Sequence, residues 1–222
     1  MKRKEQSIML EGIEACFFDM DGTILDSMWM WQDIDIEFLG QRGIELPEGL
    51  QEQIEGMSFS QTAVYFKERF GLPESTDEIK EIWNEMAMDK YRNEVPLKPG
   101  VREFLTELKR NGIRTGIATS NSIELVRCCL DSLNAAQYFD TIVTGCDVGA
   151  GKPAPDVYLR CAEDCNVAPE KCLVFEDIIP GIMAGHNAGM KVCAVYDKYS
   201  EDTDGEKRKT ADYYIEDFLN IL

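Results

Sequence analysis

Histidine is almost missing from this chain: one, His186, in 222 residues. A zinc site of cysteine and histidine is therefore poorly supplied, and the eight cysteines do not repair the deficit. Cys16, Cys172 and Cys193 sit in apolar runs that read as buried strands, Cys128 and Cys129 adjoin in a helical pattern, and Cys161 and Cys165 lie one helical turn apart with no histidine near. Such placements predict reduced structural thiols in a cytoplasmic protein, not a disulfide frame. Long apolar runs are missing too. None reaches the roughly 18 residues of a membrane-crossing helix. The N-terminal MKRKEQSIMLEGIEA is basic, but its short apolar run soon meets acids, so it does not read as a signal peptide. Repeats and low-complexity tracts are absent. Positive charge is scarce: 23 Lys and Arg stand against 41 Asp and Glu, a formal net charge of −18. That balance argues against nucleic acid or an anionic membrane as partner. It also means that any anionic ligand must find positive charge supplied locally.

The chain does contain a regular alternation of short apolar segments and helical patterns. Strands are predicted at Ile13–Phe18, Arg114–Ala118, Thr141–Thr144, Cys172–Phe175 and Lys191–Val195, with a short edge strand at Tyr213–Ile215. Helices are predicted between them at Pro99–Arg110, Ser122–Leu133, Asp156–Cys165 and Ile178–Ala188. The clearest apolar stripe is Val101, Phe104, Leu105 and Leu108. Alternation of this kind predicts an α/β fold, a parallel sheet with helices on both faces. Residues 27–94 break the rhythm with helical stretches near 28–40, 48–55, 60–70 and 76–92 and no strand. The expected organisation is a Rossmann-like core of residues 1–26 and 95–222 with an inserted all-α cap of residues 27–94.

Polar residues gather just after four of the predicted strands. The first strand runs into Asp19-Met20-Asp21-Gly22-Thr23, which points two carboxylates to one side. Carboxyl ends of strands are where open α/β sheets bind ligands. A carboxylate can attack phosphorus, and a second, protonated one can serve the leaving oxygen. A calcium loop opening at Asp19 would need Glu at its twelfth position, which holds Met30. After the second strand, Thr119-Ser120-Asn121-Ser122 offers a hydroxyl and N–H groups at a helix start, an anion seat, although Ser120 alone also reads as a helix cap. Lys152, between Gly151 and two prolines, could neutralise a phosphoryl group. Glu176-Asp177, before a helix, could hold Mg2+ or simply compensate a helix dipole.

DMDGT, IATSNS, GKPAPD and FEDIIPG together resemble the four motifs of the haloacid dehalogenase superfamily, and within it the β-phosphoglucomutase-like branch of phosphatases with a helical cap. The resemblance implies a phosphoric monoester hydrolase in which Asp19 is the nucleophile and Asp21 the acid/base. It implies that Ser120, the Asn121 backbone N–H and Lys152 hold the phosphoryl group. It implies Mg2+ on Asp19, the Asp21 carbonyl, Asp177 and Glu176. The dehalogenases of the superfamily need no metal and lack the second acid that Asp21 provides here. The substrate implied is a small phosphate ester, a sugar phosphate or similar, and a monomer is compatible with that.

The alternative is a β-phosphoglucomutase-type phosphosugar mutase. In those enzymes a His follows the first motif and a cap Arg binds a distal phosphate. This chain has Trp31 and Phe59 at the corresponding places, which favours hydrolysis. Trp29, Trp31, Met57 and Phe59 are candidates for an apolar wall over the phosphate, although the tryptophans equally suit helix packing.

Overall fold

The computed structural model describes residues 9–222. Residues 1–8 of the expected core segment lie outside the described residues. The strands β1 (Ala15–Phe18), β2 (Arg114–Thr119), β3 (Thr141–Thr144), β4 (Cys172–Glu176), β5 (Lys191–Val195) and β6 (Tyr213–Ile215) form one sheet in the order β3-β2-β1-β4-β5-β6. Every pairing is parallel. This is the Rossmann-like α/β fold that the alternation predicts.

Because successive side chains point to opposite faces, β1 feeds two cores. Cys16 and Phe18 join one apolar cluster, and Ala15 and Phe17 join the other. The first is closed by α5 (Val101–Arg110) and α6 (Ile123–Ser132), the second by α8 (Asp156–Cys165) and α9 (Ile179–Asn187). The stripe Val101, Phe104, Leu105 and Leu108 is fully buried, as its spacing predicts. Ile13, expected in β1, instead sits in a turn, its N–H donating to the Leu10 carbonyl (3.2 Å).

Between β1 and α5 come four helices: α1 (Met28–Gly40), α2 (Leu50–Ile54), α3 (Phe59–Phe70) and α4 (Thr76–Asn93). Ser58 and Ser75 open α3 and α4 with capping boxes closed by Gln61 and Glu78. Phe38, Phe59 and Phe66 pack around Trp83. The two strands of chain that join this helical insertion to the sheet run side by side. The Asp26 N–H donates to the Pro96 carbonyl (3.1 Å) and the Lys98 N–H to the Ile24 carbonyl (2.9 Å). Two short helices had no apolar stripe to announce them: α7 (Gly145–Val148) and α10 (Asp204–Thr210). Among the described residues no helix is long and apolar enough to cross a membrane. All eight cysteines are free.

Candidate active site

In the observed strand order the chain leaves β1 toward β2 and later returns to β4 on the other side. The crevice at that switch lies over the carboxyl ends of β1 and β4. Asp19 follows β1 directly, and its N–H extends the ladder to the Phe175 carbonyl (3.0 Å), which pins its carboxylate at the crevice mouth. Glu176 ends β4 and Asp177 follows it. Sheet topology therefore sets Asp19 beside Glu176 and Asp177, which come much later in the chain.

Lys152 binds them. Its Nζ donates to Asp19 Oδ1 (2.5 Å) and to Glu176 Oε1, and its side chain is almost wholly buried. Glu176 also accepts from the Tyr158 hydroxyl (2.6 Å) and from the Asp177 N–H (3.2 Å). Burial works to lower the Lys152 pKa, but the charges of Asp19 and Glu176 overcome it and the ammonium is held more firmly than usual. Burial raises the Asp19 pKa well above the usual carboxylate range; Lys152 opposes that rise, and Glu176 and Asp177 add to it. Asp177 is pushed up to about 7, by burial first and by Glu176 next.

One oxygen from each of Asp19, Glu176 and Asp177 lies within 4.8 Å of the others. Three buried carboxylates around one ammonium leave negative charge uncompensated, and hard oxygen donors of this kind suit Mg2+. The residues fit the expected metal. Asp177 is oriented by the Thr23 hydroxyl, which donates to Oδ1 (2.8 Å). Gly22, at φ +83°, allows this approach: a Cβ there would run into the Asp177 carboxylate. Lys98 braces the same turn, its buried Nζ donating to the Gly22 carbonyl and to Asp197 (2.8 Å).

Asp21 occupies a different environment. Its Oδ1 accepts from Ser27 Oγ (2.6 Å) and the Tyr91 hydroxyl, and its Oδ2 from Asn121 Nδ2 (3.1 Å). Burial raises its pKa, and these hydrogen bonds oppose the rise. A carboxyl so placed suits proton donation near neutral pH better than an exposed one. Thr23, Ser27, Tyr91 and Lys98 were not singled out in the sequence. Thr23 follows the DMDG run directly.

Ser120 is not the helix cap. Ser122 opens α6, its Oγ accepting from the Leu125 N–H (3.4 Å). Ser120 instead lines a cavity of about 390 Å³, and its hydroxyl has no partner among the described residues. The Asn121 N–H donates to Thr119 Oγ1 (3.1 Å) in this arrangement, while its side chain reaches Asp21. Asp19, Asp21, Lys152 and Asp177 share the cavity with Trp31, Met57 and Phe59 from the helical insertion. The Phe59 N–H donates to the Ser120 carbonyl (2.8 Å), tying the insertion to the anion seat. Gly151 lets the insertion approach Lys152, since a Cβ there would meet the Gly56 carbonyl and the Ser58 nitrogen. Trp29 turns away: its Nε1 donates to the Asp26 carbonyl (3.0 Å) and the Lys90 ammonium lies 5.2 Å from its ring.

Family comparison agrees with this geometry. The sequence profile of the haloacid dehalogenase-like hydrolases matches residues 16–195. The chain belongs to that family. The phosphorylated carbohydrates phosphatase of Thermotoga maritima is 30% identical over 214 residues, covering 95% of this chain and 98% of that one. The phosphate complex of CbbY from Rhodobacter sphaeroides superposes with a TM-score of 0.82 at 26% identity, covering 93% and 95% of the two chains. The β-phosphoglucomutase of Clostridium difficile has a TM-score of 0.79 at 24% identity, covering 95% and 93%, and shares the fold. The putative β-phosphoglucomutase of Thermotoga maritima, 28% identical with a TM-score of 0.68 over 94% and 97% of the two chains, supports the β-phosphoglucomutase-like branch of the family, and the enzyme class is phosphoric monoester hydrolase.

Proposed function

We propose that this haloacid dehalogenase-like hydrolase removes phosphate from a small phosphorylated metabolite, a sugar phosphate or similar, through an aspartyl-phosphate on Asp19. The observation that carries the reading is the buried Asp19–Lys152 ion pair at the switch point, with Asp21 two residues on and Asp177 beside it.

In this reading Asp19 attacks the phosphorus from the crevice floor. Lys152 stays protonated against the phosphoryl oxygens, and Glu176 holds it there. The free Ser120 hydroxyl and the Asn121 N–H, once released from Thr119, donate to the same oxygens. Asp21 gives its proton to the leaving oxygen and afterwards takes one from the water that opens the aspartyl-phosphate. Asp19, Asp177, Glu176 and the Asp21 carbonyl would hold Mg2+, which supplies positive charge to the transferring phosphoryl group. Residues 27–94 act as a cap whose wall includes Trp31, Met57 and Phe59, over a core of residues 1–26 and 95–222. A cytoplasmic setting fits the eight free thiols. The mutase alternative needs a seat for a second phosphate, and the insertion presents Asp35 and Gln51 to the cavity instead.

Release of phosphate from phenyl phosphate, with and without Mg2+, tests the proposal. Wild-type protein should show metal-dependent turnover, and Asp19→Asn should lose at least about a thousandfold, the scale seen when a nucleophile is removed. Equal inactivity of both proteins across a broad panel of phosphate esters would end it.

A further inference from the structure

Lys207 is wholly buried, and the proposed chemistry makes no use of it. Burying an ammonium is costly unless its charge and its donors are met. Its ion pair with Asp204 Oδ1, on the same helix α10, is loose at 3.4 Å. Asp204 does not depend on that pair. Its carboxylate also accepts from Arg208 Nε (3.1 Å) and from the Tyr214 hydroxyl (2.7 Å). The helix by itself gives no reason to sink Lys207 below the surface.

On its other side the ammonium faces the acidic site. Lys207 Nζ donates to Ser200 Oγ (3.0 Å), and Ser200 Oγ donates to the Asp177 carbonyl (2.9 Å). Ser200 belongs to the short helical turn Lys198–Thr203, past the end of β5, and lines the cavity. An ammonium can only donate, so Ser200 must accept from it and has one hydrogen of its own to give. Two carbonyls compete for that hydrogen, Asp177 at 2.9 Å and Asp197 at 3.5 Å. The nearer one wins. Lys207 thus fixes a hydroxyl that could otherwise rotate, and fixes it on the backbone of a residue suited to hold Mg2+. The Asp177 N–H is already tied to Glu176 Oε2 and its Oδ1 to Thr23. The bond to its carbonyl is a third anchor.

Resting on the metal-dependent phosphatase reading, we propose that Lys207 is a positioning residue for Asp177, acting through the Ser200 hydroxyl. Groups behind a metal's ligands set its affinity by holding those ligands in place. A plain charge effect would have the opposite sign. A buried cation close to the site repels Mg2+, so removing its charge alone should tighten binding. Breaking the hydrogen-bonded chain should loosen it. The direction of the change therefore tells the two roles apart.

Thermal unfolding across a Mg2+ titration yields an apparent Kd with no turnover involved. Lys207→Met keeps much of the side chain's bulk but neither its charge nor its donors, and should raise that Kd about tenfold. Ser200→Ala should raise it by a similar factor, whereas Ser200→Thr, which keeps the hydroxyl, should stay close to wild type. The double variant Lys207→Met with Ser200→Ala should be no worse than either single one, because the same chain is broken twice. Half-maximal turnover of phenyl phosphate should need correspondingly more Mg2+ in these variants. An unchanged or lower Kd in Lys207→Met overturns the proposal, even if the Tm itself falls, and so do losses that add in the double variant. If Lys207→Met does not fold, Ser200→Ala carries the test. An unchanged Kd there overturns the proposal, since Lys207 would have nothing to act through. If the wild-type Tm ignores Mg2+ altogether, the metal reading falls and takes this role with it. A wild type that responds while both variants keep its affinity sinks the role of Lys207 alone.

Discussion

The phenol of Tyr91, near the end of α4, donates to Oδ1 of Asp21, seventy residues earlier in the chain. The same oxygen of Tyr91 accepts from Asn121 Nδ2 (2.7 Å) and Trp31 Nε1 (3.2 Å). One hydroxyl from the helical insertion thus joins the proposed acid/base, the anion-seat loop and the cavity wall. Tyr91 acts in this arrangement as a positioning residue that ties the insertion's placement to the orientation of Asp21.

Tyr91→Phe should therefore lower kcat on phenyl phosphate about tenfold, with a smaller effect on KM. The ring keeps its packing, but the Trp31 and Asn121 N–H groups lose an acceptor, so stability should fall by about 1–3 kcal/mol. Steady-state kinetics and urea unfolding measure the two effects. A change in stability with kcat intact would mean that Tyr91 is structural and nothing more.

The acidic triad predicts a thermodynamic signature of metal that needs no turnover. A ligand that binds the folded state alone stabilises it by RT ln(1 + [L]/Kd), about 2.7 kcal/mol at a hundredfold excess over Kd. Adding Mg2+ should raise the Tm of the wild type, and EDTA should reverse the rise. Asp177→Asn removes one of three clustered carboxylates and should abolish most of that shift. A wild-type Tm indifferent to Mg2+ would count against the metal assignment.

Gly22→Ala tests the approach of the first motif to the fourth. The residue must hold φ +83°, and the new Cβ would run into the Asp177 carboxylate. Backbone strain of this kind costs about 1–3 kcal/mol. The expected outcome is lower stability together with loss of the Mg2+-dependent Tm shift. A variant that is destabilised yet keeps the full shift would show that Asp177 can move aside without cost to the metal site.

Sequence reading succeeded where the physics is local. Buried parallel strands are short apolar runs, and helices with one buried face carry a stripe, so β2 through β6 and α5, α6, α8 and α9 lie within about two residues of their predicted bounds. The helix Asp204–Thr210 escaped because DGEKRKT has no stripe at all, although its Lys207 is wholly buried. The motif carboxylates stood out in the sequence because each sits at or just past the end of a strand. Tyr91 and Asp35 did not, because each reads as an ordinary residue of an amphipathic helix until the fold sets it against Asp21 or the cavity. Ser120 and Ser122 show the same limit at close range. Both are serines at a helix start, and hydrogen bonding alone separates the cap from the free hydroxyl.

Asp35 also makes a pH prediction that depends on no substrate. Its folded-state pKa, about 6, lies above the ordinary 3.8 because burial penalises the charged form. A group whose pKa rises on folding contributes stability that is complete below the unfolded value and is lost as pH rises through the folded one. The wild type should thus lose stability between pH 3.8 and pH 6 from this residue alone. A shift of about two units corresponds to about 3 kcal/mol. Asp35→Asn keeps the shape and can still accept from Gln51, but it does not titrate. The difference in unfolding free energy, variant minus wild type, should therefore grow by about that amount across the window, in favour of the variant at the upper end. Glu52 and Glu55, which share the cavity wall, are present in both proteins and largely cancel in the difference. Urea unfolding of both proteins at a series of pH values makes the measurement. A difference that stays constant with pH would mean that Asp35 is already well solvated in the folded state, and that the carboxylate faces water more openly than its burial implies.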